Sequence, residues 1–301
     1  MVANSTSSSS SSSSSRSAGR AQAVTPELRS WIVQQAQAGY SAPVVLQSMI
    51  DAGWDETVAT EALENTLRGH LEEAARSKGL PPASKVPEPS LADSPLFLDA
   101  GDRQVHVLMT MARPRVVVFG NLLSGEECDA IIEAARPRMA RSLTVATQTG
   151  GEELNADRTS NGMFFSRGEN AVVARLEARI ARLITWPLEN GEGLQVLHYR
   201  PGAEYKPHHD YFDPAAPGTP TILRRGGQRV GTVVVYLNDP EKGGGTTFPD
   251  VQLEVAPRRG NAVFFSYERP HASTQTLHGG APVVAGEKWI ATKWLREREF
   301  H

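Results

Sequence analysis

The chain has 301 residues, of which 40% are hydrophobic and 22% charged, and its formal net charge at pH 7 is −3. This composition is typical of a soluble globular protein with one large domain or a catalytic domain plus a smaller unit, and it argues against nucleic acid or an anionic membrane as a partner. Cys128 is the only cysteine, which excludes an intrachain disulfide and a thiolate zinc site and favours the reducing cytoplasm.

The first 24 residues are rich in serine and include an unbroken serine run from Ser7 to Ser15. Such a tract has nothing apolar to bury, so residues 1–24 are expected to form a disordered tail. The tail has no apolar segment of the kind that a secretory signal requires. No apolar run elsewhere approaches the roughly 20 residues that span a bilayer.

Residues 25–78 carry the pattern of three short helices. Thr25-Pro26-Glu27 offers an N-cap, a first-turn proline and an early acidic residue, while Ser41 and Asp55 are placed to cap the next two helices. With its Met-x-x-x-Gly-Trp turn, this unit loosely resembles ubiquitin-associated-type bundles. The sequence leaves two interpretations open: a docking module for a protein partner, or a structural appendage.

Residues 79–94 are predicted to be a linker, because they hold four prolines and no apolar periodicity. A second domain is expected over residues 95–301. Its early part has β-branched runs at 105–107 and 115–119, and a helix that Ser124 and Glu127 begin as a capping box. A further helix is predicted over 172–183.

Beyond Gly193 the chain reads as short strands bounded by Gly, Pro and Asp. They are predicted at 194–199, 230–237, 252–255, 262–266 and 288–295. Helices followed by a run of strands indicate an α+β, mainly β domain. We predict a double-stranded β-helix (jelly roll) with supporting helices, since that fold leaves few exposed sheet edges.

Two histidines and an aspartate in this β-rich part suggest a metal site. His208 and Asp210 are two residues apart, so on an extended segment both side chains project to the same side. His278 would have to come from a distant strand. Two imidazoles and one carboxylate can hold a ferrous ion on one face and leave the other positions open. A His-x-Asp pair alone has little weight, because such pairs arise often by chance.

Lys288 strengthens this interpretation. On the last predicted strand it alternates in phase with Ile290, Thr292 and Trp294, so it would point into the mouth of the barrel. A buried ammonium group is costly without a counter-anion. A bound carboxylate ligand would provide one.

Several segments carry a family resemblance, in matching order and spacing: 123–128, 158–160, 195–199, 199–210, 236–239, 243–249 and 278–294. Through them, the stretch from about Arg115 to Arg296 resembles the prolyl 4-hydroxylases, which are Fe(II)- and 2-oxoglutarate-dependent dioxygenases. The resemblance implies Fe(II) ligation by His208, Asp210 and His278. It implies 2-oxoglutarate binding through Lys288 and Tyr199, in a pocket also lined by Thr246 and Trp294. Residues 158–160 match a segment near the peptide groove of the family, and a capped loop is the alternative for them.

The activity implied is hydroxylation of peptidyl proline, with 2-oxoglutarate decarboxylated to succinate and CO2, O2 as the second co-substrate and ascorbate as a reductant. Asp210 favours hydroxylation, because halogenases of related architecture leave that carboxylate position empty for chloride. The alternatives are a sister oxygenase acting on lysine or on a small molecule, and a catalytically silent metal- or peptide-binding module. A zinc hydrolase would not explain Lys288. The loop 213–227 could close over the substrate.

Overall fold

The structure is a computed structural model that describes residues 22–141, 143–145, 152–154 and 159–301. The serine run predicted to be disordered and Arg158 lie outside the described residues. The chain divides into two compact units, Met1–Gly79 and Leu80–His301. In the described part of both units, every helix is too short or too polar to cross a membrane.

The first unit contains the three predicted helices: α1 (Pro26–Gln37), α2 (Ala42–Asp51) and α3 (Glu56–Ser77). Thr25 caps α1 and Asp55 caps α3 through side-chain hydrogen bonds, as predicted. Ser41 occupies the N-cap position of α2 but makes no capping bond, so that detail was wrong. Pro43 lies in the first turn there and has no N–H to donate. The helices share a small core of their own around Ile32 and Met49.

The second unit contains the remaining elements. Its helices are α4 (Gly125–Ala135), α5 (Ala171–Leu183) and α6 (Thr219–Leu223). Its strands are β1 (Phe97–Asp99), β2 (Gln104–Met111), β3 (Arg115–Gly120), β4 (Ala140–Arg141), β5 (Leu143–Val145), β6 (Glu152–Leu154), β7 (Asn161–Phe165), β8 (Leu194–Tyr199), β9 (Tyr205–His208), β10 (Arg229–Tyr236), β11 (Lys242–Gly243), β12 (Thr246–Phe248), β13 (Leu253–Val255), β14 (Ala262–Ser266), β15 (His278–Gly280), β16 (Val283–Ala285) and β17 (Lys288–Arg296).

Two large antiparallel sheets form the body of this unit, and two further strand pairs, β11-β16 and β5-β6, lie outside them in the described chain. Among the described residues, the larger sheet has the strand order β1-β2-β3-β14-β10-β17-β8-β7-β4, and the smaller has the order β13-β12-β15-β9. One core, around Phe119 and Phe264, packs the larger sheet against α4 and α5. A second core, around Phe265 and Phe248, fills the space between the two sheets. The mainly β fold with supporting helices is confirmed.

The central strand β17 faces both cores, and all nine of its residues are buried. Trp289 and Ala291 belong to the core beside the helices, while Ile290 belongs to the core between the sheets. This division follows from the two-residue alternation of side chains along a strand. The predicted inward phase of Lys288 is therefore set by the packing of its neighbours.

Most predicted strands occur within one or two residues of their expected ends, and β8 and β14 match in full. The strands β9 and β15 were not predicted, because Tyr-Lys-Pro-His and His-Gly-Gly lack the β-branched residues that signal a strand. These two segments are extended because each pairs with the other. They form the part of the smaller sheet from which the histidines project.

The proline-rich segment predicted as a linker is instead part of the second unit from about residue 81. The Ser84 N–H donates to Glu268 O at 2.6 Å, and the Glu88 N–H donates to Ile184 O at 2.9 Å. Pro87 and Pro89 are buried. Prolines need no hydrogen-bond partner for their nitrogen, so an extended proline-rich segment can pack on a surface while only some of its backbone is paired.

The capping box of α4 is present, with reciprocal bonds between Ser124 and Glu127. Arg179 of α5 binds the same Glu127 carboxylate and also the Asp102 carboxylate, through four contacts of 2.7 to 2.8 Å. The Arg179 side chain is only 4% exposed. One guanidinium group therefore joins α5, the start of α4 and the turn between β1 and β2.

Candidate active site

A cavity lies between the two sheets of the second unit. Strands of the larger sheet contribute Tyr199, Lys288 and Trp294 to its wall, while the smaller sheet contributes His208 and His278. Asp210 and Thr246 complete the set, so the structure brings all the residues predicted for the site around one space.

His208 and His278 face each other across the β9–β15 pair, in direct register. Their ring centroids are 4.4 Å apart. Asp210 follows β9 by two residues, and one potential ligand atom from each of the three side chains lies within 4.8 Å of the others. Within the described ranges, no other cluster of histidine, cysteine or carboxylate side chains meets this criterion.

The two imidazoles are oriented for a cation. His208 Nδ1 lies 2.8 Å from Lys206 O, and His278 Nδ1 lies 3.0 Å from Thr276 O. A carbonyl oxygen only accepts, so each Nδ1 carries a proton and each Nε2 is the ring atom left to bind a metal ion. Both Nε2 atoms face Asp210, at 3.5 Å from Oδ1 and 3.4 Å from Oδ2. Two neutral imidazoles and a carboxylate fit the donor set of a ferrous site with open positions.

The electrostatics of the cluster keep the carboxyl group of Asp210 ionised. Burial opposes ionisation of Asp210, but the neighbouring imidazoles of His278 and His208 hold the pKa of this carboxyl well below its ordinary value. Burial, together with the nearby His278, lowers the pKa of His208. Asp210 is therefore ready to bind a metal ion without first losing a proton.

Two buried hydroxyls that were not selected from the sequence form a short chain beside Asp210. Thr232 Oγ1 lies 2.7 Å from Asp210 Oδ2 and 3.0 Å from Tyr267 Oη. Thr232 lies in an apolar run of β10, where a lone hydroxyl carries no recognisable spacing. Its polarity inside a buried strand is the one signal that could have found it.

Lys288 also lines the cavity and is 2% exposed. Its Nζ donates to Gly244 O at 2.9 Å and lies 4.5 Å from the centre of the Tyr199 ring. Tyr199 of β8 is the residue that pairs with Lys288 of β17. In the part of the chain that the structure describes, no carboxylate forms an ion pair with this ammonium group. Burial lowers the pKa of Lys288 to about 8.

Glycines leave space around this lysine. A Cβ atom at Gly280 would lie 3.2 Å from Lys288 Nζ, and one at Gly244 would lie 3.1 Å from Lys288 Cδ. Gly244 also has a φ of +76°, which disfavours any other residue. The glycine-rich segments around 243–245 and 279–280 therefore matter for the cavity, a role that the sequence did not reveal.

Thr246 and Trp294 contribute further polar atoms to the site. The Tyr236 O–H donates to Thr246 Oγ1 at 2.7 Å, which leaves the hydroxyl hydrogen of Thr246 for another acceptor. The Trp294 Nε1 atom is buried and has no partner among the described residues. Arg229 stacks on the Trp294 ring at 4.1 Å. Tyr236 and Arg229 were not selected from the sequence.

Two other predicted segments border this region. The Thr159 N–H and hydroxyl both contact Glu204 O, next to Tyr205 of the cavity wall, whereas Arg158 lies outside the described residues. In the loop 213–227, Arg225 donates to His301 O at 2.8 Å and lies 4.5 Å from the Phe300 ring. Arg225 is therefore bound to the C-terminal residues, while Arg224 is exposed.

Comparisons with known proteins agree with this geometry. A protein-family model described as the 2OG-Fe(II) oxygenase superfamily matches residues 194–296. Prolyl 4-hydroxylase 5 of Arabidopsis thaliana is 41% identical over 221 residues, which is 66% of this chain and 74% of that protein. Probable prolyl 4-hydroxylase 8 of the same plant is 39% identical over 222 residues, covering 67% of this chain and 74% of that protein.

Among solved structures, the viral collagen prolyl hydroxylase of Paramecium bursaria Chlorella virus 1, in its 2-oxoglutarate complex, is 30% identical. The match covers 60% of this chain and 95% of that one, with a TM-score of 0.47. The sequence matches to the two plant proteins cover about 220 residues, many more than those that line the cavity. The chain therefore belongs to the prolyl 4-hydroxylase family of Fe(II)- and 2-oxoglutarate-dependent oxygenases.

Proposed function

We propose that this protein hydroxylates peptidyl proline in a reaction that consumes 2-oxoglutarate and O2 and releases succinate and CO2. The observation that carries the proposal is the pairing of two features in one cavity. The first is the convergence of two imidazole Nε2 atoms and a carboxylate. The second is the buried ammonium of Lys288, which donates to a carbonyl and binds no carboxylate of the described chain. A dicarboxylate in this cavity would contact both.

Each site residue has a proposed task. His208 and His278 would hold Fe(II) through Nε2, and Asp210 through its carboxylate. Lys288 would bind the distal carboxylate of 2-oxoglutarate, with the hydroxyls of Tyr199 and Thr246 as further donors. When bound, the iron supplies the oxidative chemistry that couples decarboxylation of 2-oxoglutarate to hydroxylation of a C–H bond. The apolar wall formed by Leu197, Val234 and Ile290 excludes water from this reaction.

Peptidyl proline is supported as the substrate by the names of the relatives, prolyl 4-hydroxylases at about 40% identity. The buried Nε1 of Trp294 is a donor without a partner in the described chain and would suit a peptide carbonyl or a carboxylate. Nothing in the comparisons favours lysine or a small molecule as the substrate. Ascorbate is proposed as the reductant that keeps the iron ferrous between turnovers.

The N-terminal unit is proposed to recruit a protein substrate. It has its own core. It also exposes three large apolar side chains: Tyr40 between α1 and α2, Val44 on α2 and Leu71 on α3. Exposed apolar groups of this size are available for a partner. Catalysis on a short peptide would then need only the second unit.

The metal site is tested on the purified full-length chain without oxygen. Fe(II) and 2-oxoglutarate together should give a weak visible charge-transfer band, which Asp210→Ala and His278→Ala should lose. His106→Ala, which changes an exposed histidine of β2, should keep it. A wild-type protein without the band, or an unchanged band in Asp210→Ala, would overturn the assignment of the ligands.

The substrate is tested by admitting oxygen, ascorbate and a proline-rich peptide to the same samples. Succinate should form together with a peptide that has gained the mass of one oxygen atom, located on proline. Succinate without any peptide oxidation would leave the iron chemistry intact and refute proline as the target.

A further inference from the structure

The buried hydroxyls beside Asp210 form a continuous chain of hydrogen bonds. Tyr267 Oη lies 3.0 Å from Thr232 Oγ1, which lies 2.7 Å from Asp210 Oδ2. Tyr267 is 1% exposed, Thr232 is fully buried, and Asp210 is 7% exposed. We infer that Thr232 and Tyr267 are positioning residues that hold one oxygen of Asp210, so that the carboxylate meets the metal through the other. This inference rests on the proposed function.

The direction of the chain follows from the chemistry of its members. The Thr232 O–H donates to Asp210 Oδ2 at 2.7 Å, so the single hydroxyl hydrogen of Thr232 is used in that bond. Tyr267 must then donate its own hydrogen to Thr232 Oγ1. Burial raises the pKa of Tyr267 well above its ordinary value, which keeps that donor protonated. Every hydrogen in the chain is therefore directed toward the carboxylate.

The strands fix this arrangement. Thr232 lies near the middle of β10, where it pairs with Phe265 of β14 on one side and with Trp294 of β17 on the other. Tyr267 directly follows β14, and its N–H donates to Val230 O at 3.1 Å. The two hydroxyls thus belong to the rigid larger sheet, whereas Asp210 lies on the segment just beyond β9.

The hydroxyl of Thr232 has no evident role in the strand itself. Valine has the same shape and a comparable preference for strands, and the residues at 233–235 are all valine. A fully buried hydroxyl is costly unless it is hydrogen-bonded, and among the described residues its partners are Asp210 and Tyr267 alone. The hydroxyls of Thr232 and Tyr267 therefore serve the Asp210 carboxylate and not the packing of the strand.

Fixing one oxygen has a chemical consequence. A carboxylate that is free to turn can bind a cation through both oxygens and occupy an additional coordination position. Oδ2 is engaged by Thr232, so Oδ1, which lies 3.5 Å from His208 Nε2, remains available. Groups that orient a metal ligand in this way typically change metal affinity by about 10- to 100-fold when they are removed.

The experiment uses Co(II), whose visible spectrum reports coordination number, added to the metal-free full-length protein without co-substrate. Thr232→Val should weaken Co(II) binding by about 10-fold and shift the spectrum toward a different coordination number. Thr232→Ser, which restores the hydroxyl, should return both values to those of the wild type. Tyr267→Phe, which keeps the ring, should weaken binding by about threefold, a smaller effect because Thr232 still donates.

The double variant separates positioning from general damage. Because Tyr267 acts through Thr232, Tyr267→Phe should add nothing once Thr232 is valine. The control is Thr219→Val, a buried threonine whose hydroxyl donates to Asp213 O instead; it should bind Co(II) as the wild type does.

The outcomes distinguish the two levels of the proposal. If the wild type binds no Co(II), or if His278→Ala binds it as tightly as the wild type does, the metal site and hence the proposed function fail. If the wild type binds and Thr232→Val binds with the same affinity and spectrum, the positioning role alone is refuted. Full additivity of the two substitutions would also refute it, as would a Thr232→Ser variant that resembles Thr232→Val. Should Thr232→Val fail to fold, Tyr267→Phe decides: unchanged Co(II) binding and spectrum would refute the role.

Discussion

Lys288 holds its proton less firmly than an ordinary lysine, since burial lowers its pKa to about 8 in the free protein. The proposed contact of Lys288 with 2-oxoglutarate requires the charged ammonium, so the apparent dissociation constant of 2-oxoglutarate should be flat below pH 8. Above pH 8 it should rise, by about tenfold per pH unit for loss of one proton. Anaerobic titration with Mn(II) in place of iron, from pH 6.5 to pH 9.5, measures this dependence.

Lys288→Met is the matched variant, because methionine keeps much of the side-chain volume without the charge. Its affinity for 2-oxoglutarate should be about 100-fold weaker, as expected for loss of a buried charge partner, and independent of pH across this range. A variant with the rise still present would assign the titration to another group. In the unfolded chain a lysine keeps its proton up to about pH 10.4. Without ligand, the cost of burying the charge of Lys288 therefore decreases as the pH rises from about 8 toward that value, and the free energy of unfolding should increase.

At this scale the sequence revealed residues that carry a charge or bind metals in a fixed spacing. His208, Asp210, His278 and Lys288 could be identified because strand alternation and the family segments place them together. Thr232, Tyr236 and Tyr267 could not be, because a hydroxyl in an apolar strand has the same local pattern whether it faces a ligand or another hydroxyl. Only the pairing of strands decides between those cases.

Among the elements, α5 carries a buried ion-pair cluster around Arg179 that joins it to Glu127 and Asp102. Removing the Arg179 guanidinium would leave the Glu127 carboxylate, which is 12% exposed, without its closest cation. Arg179→Met should therefore lower the free energy of unfolding by about 3–5 kcal/mol, measured by urea denaturation at pH 7. Arg175→Met is the control: that residue contacts the same carboxylate at 3.4 Å but is 50% exposed, so a loss below about 1 kcal/mol is expected.

The same cluster predicts how this difference changes with acid. Burial opposes ionisation of Glu127, but hydrogen bonds from Arg179 and from the Ser124 backbone lower its pKa from 4.5 to about 2. A carboxyl group with a lowered pKa stabilises the fold above pH 4.5 and loses that contribution as the pH falls toward 2. The difference between wild type and Arg179→Met should shrink over this window. An unchanged difference at pH 3 would contradict the role given to Glu127.

Element prediction worked where local signals and tertiary packing agree. The capping box at Ser124 and the strand β14 combine strong local preference with burial. It failed for β9 and β15, whose extended shape comes from pairing across 70 residues of chain between His208 and His278. Proline content likewise suggested a linker at 79–94, although the buried Pro87 and Pro89 fill space on the second unit.

For the whole molecule, the packing of residues 81–94 on the second unit predicts which fragment of the chain will be stable by itself. A fragment of residues 80–301 contains both large cores and should unfold cooperatively. A fragment of residues 95–301 lacks the bonds from Ser84 and Glu88 and the packing of Pro87 on Gly231. Its melting temperature should be lower by several degrees, roughly 4 °C per kcal/mol lost for a unit of this size. Differential scanning calorimetry of both fragments checks this.

Equal melting temperatures of the two fragments would show that residues 80–94 add no stability and act as a linker. The fragment 80–301 also tests the proposed recruiting role of the N-terminal unit. It should hydroxylate a short proline-rich peptide as the full chain does, and act more slowly only on protein substrates.

The double-faced strand β17 constrains how this enzyme can change. Its alternate residues pack either against the helix side or into the cavity, and all nine are buried. A mutation in β17 that changed the cavity would also disturb the packing of neighbouring buried residues. A change in substrate preference made there would therefore lower the stability of the fold. Residues of the loop 213–227 such as Arg224 are exposed and carry no such burden. The protein therefore combines a tightly packed cavity wall, where few substitutions should be tolerated, with exposed loop residues that can be replaced at little cost to packing.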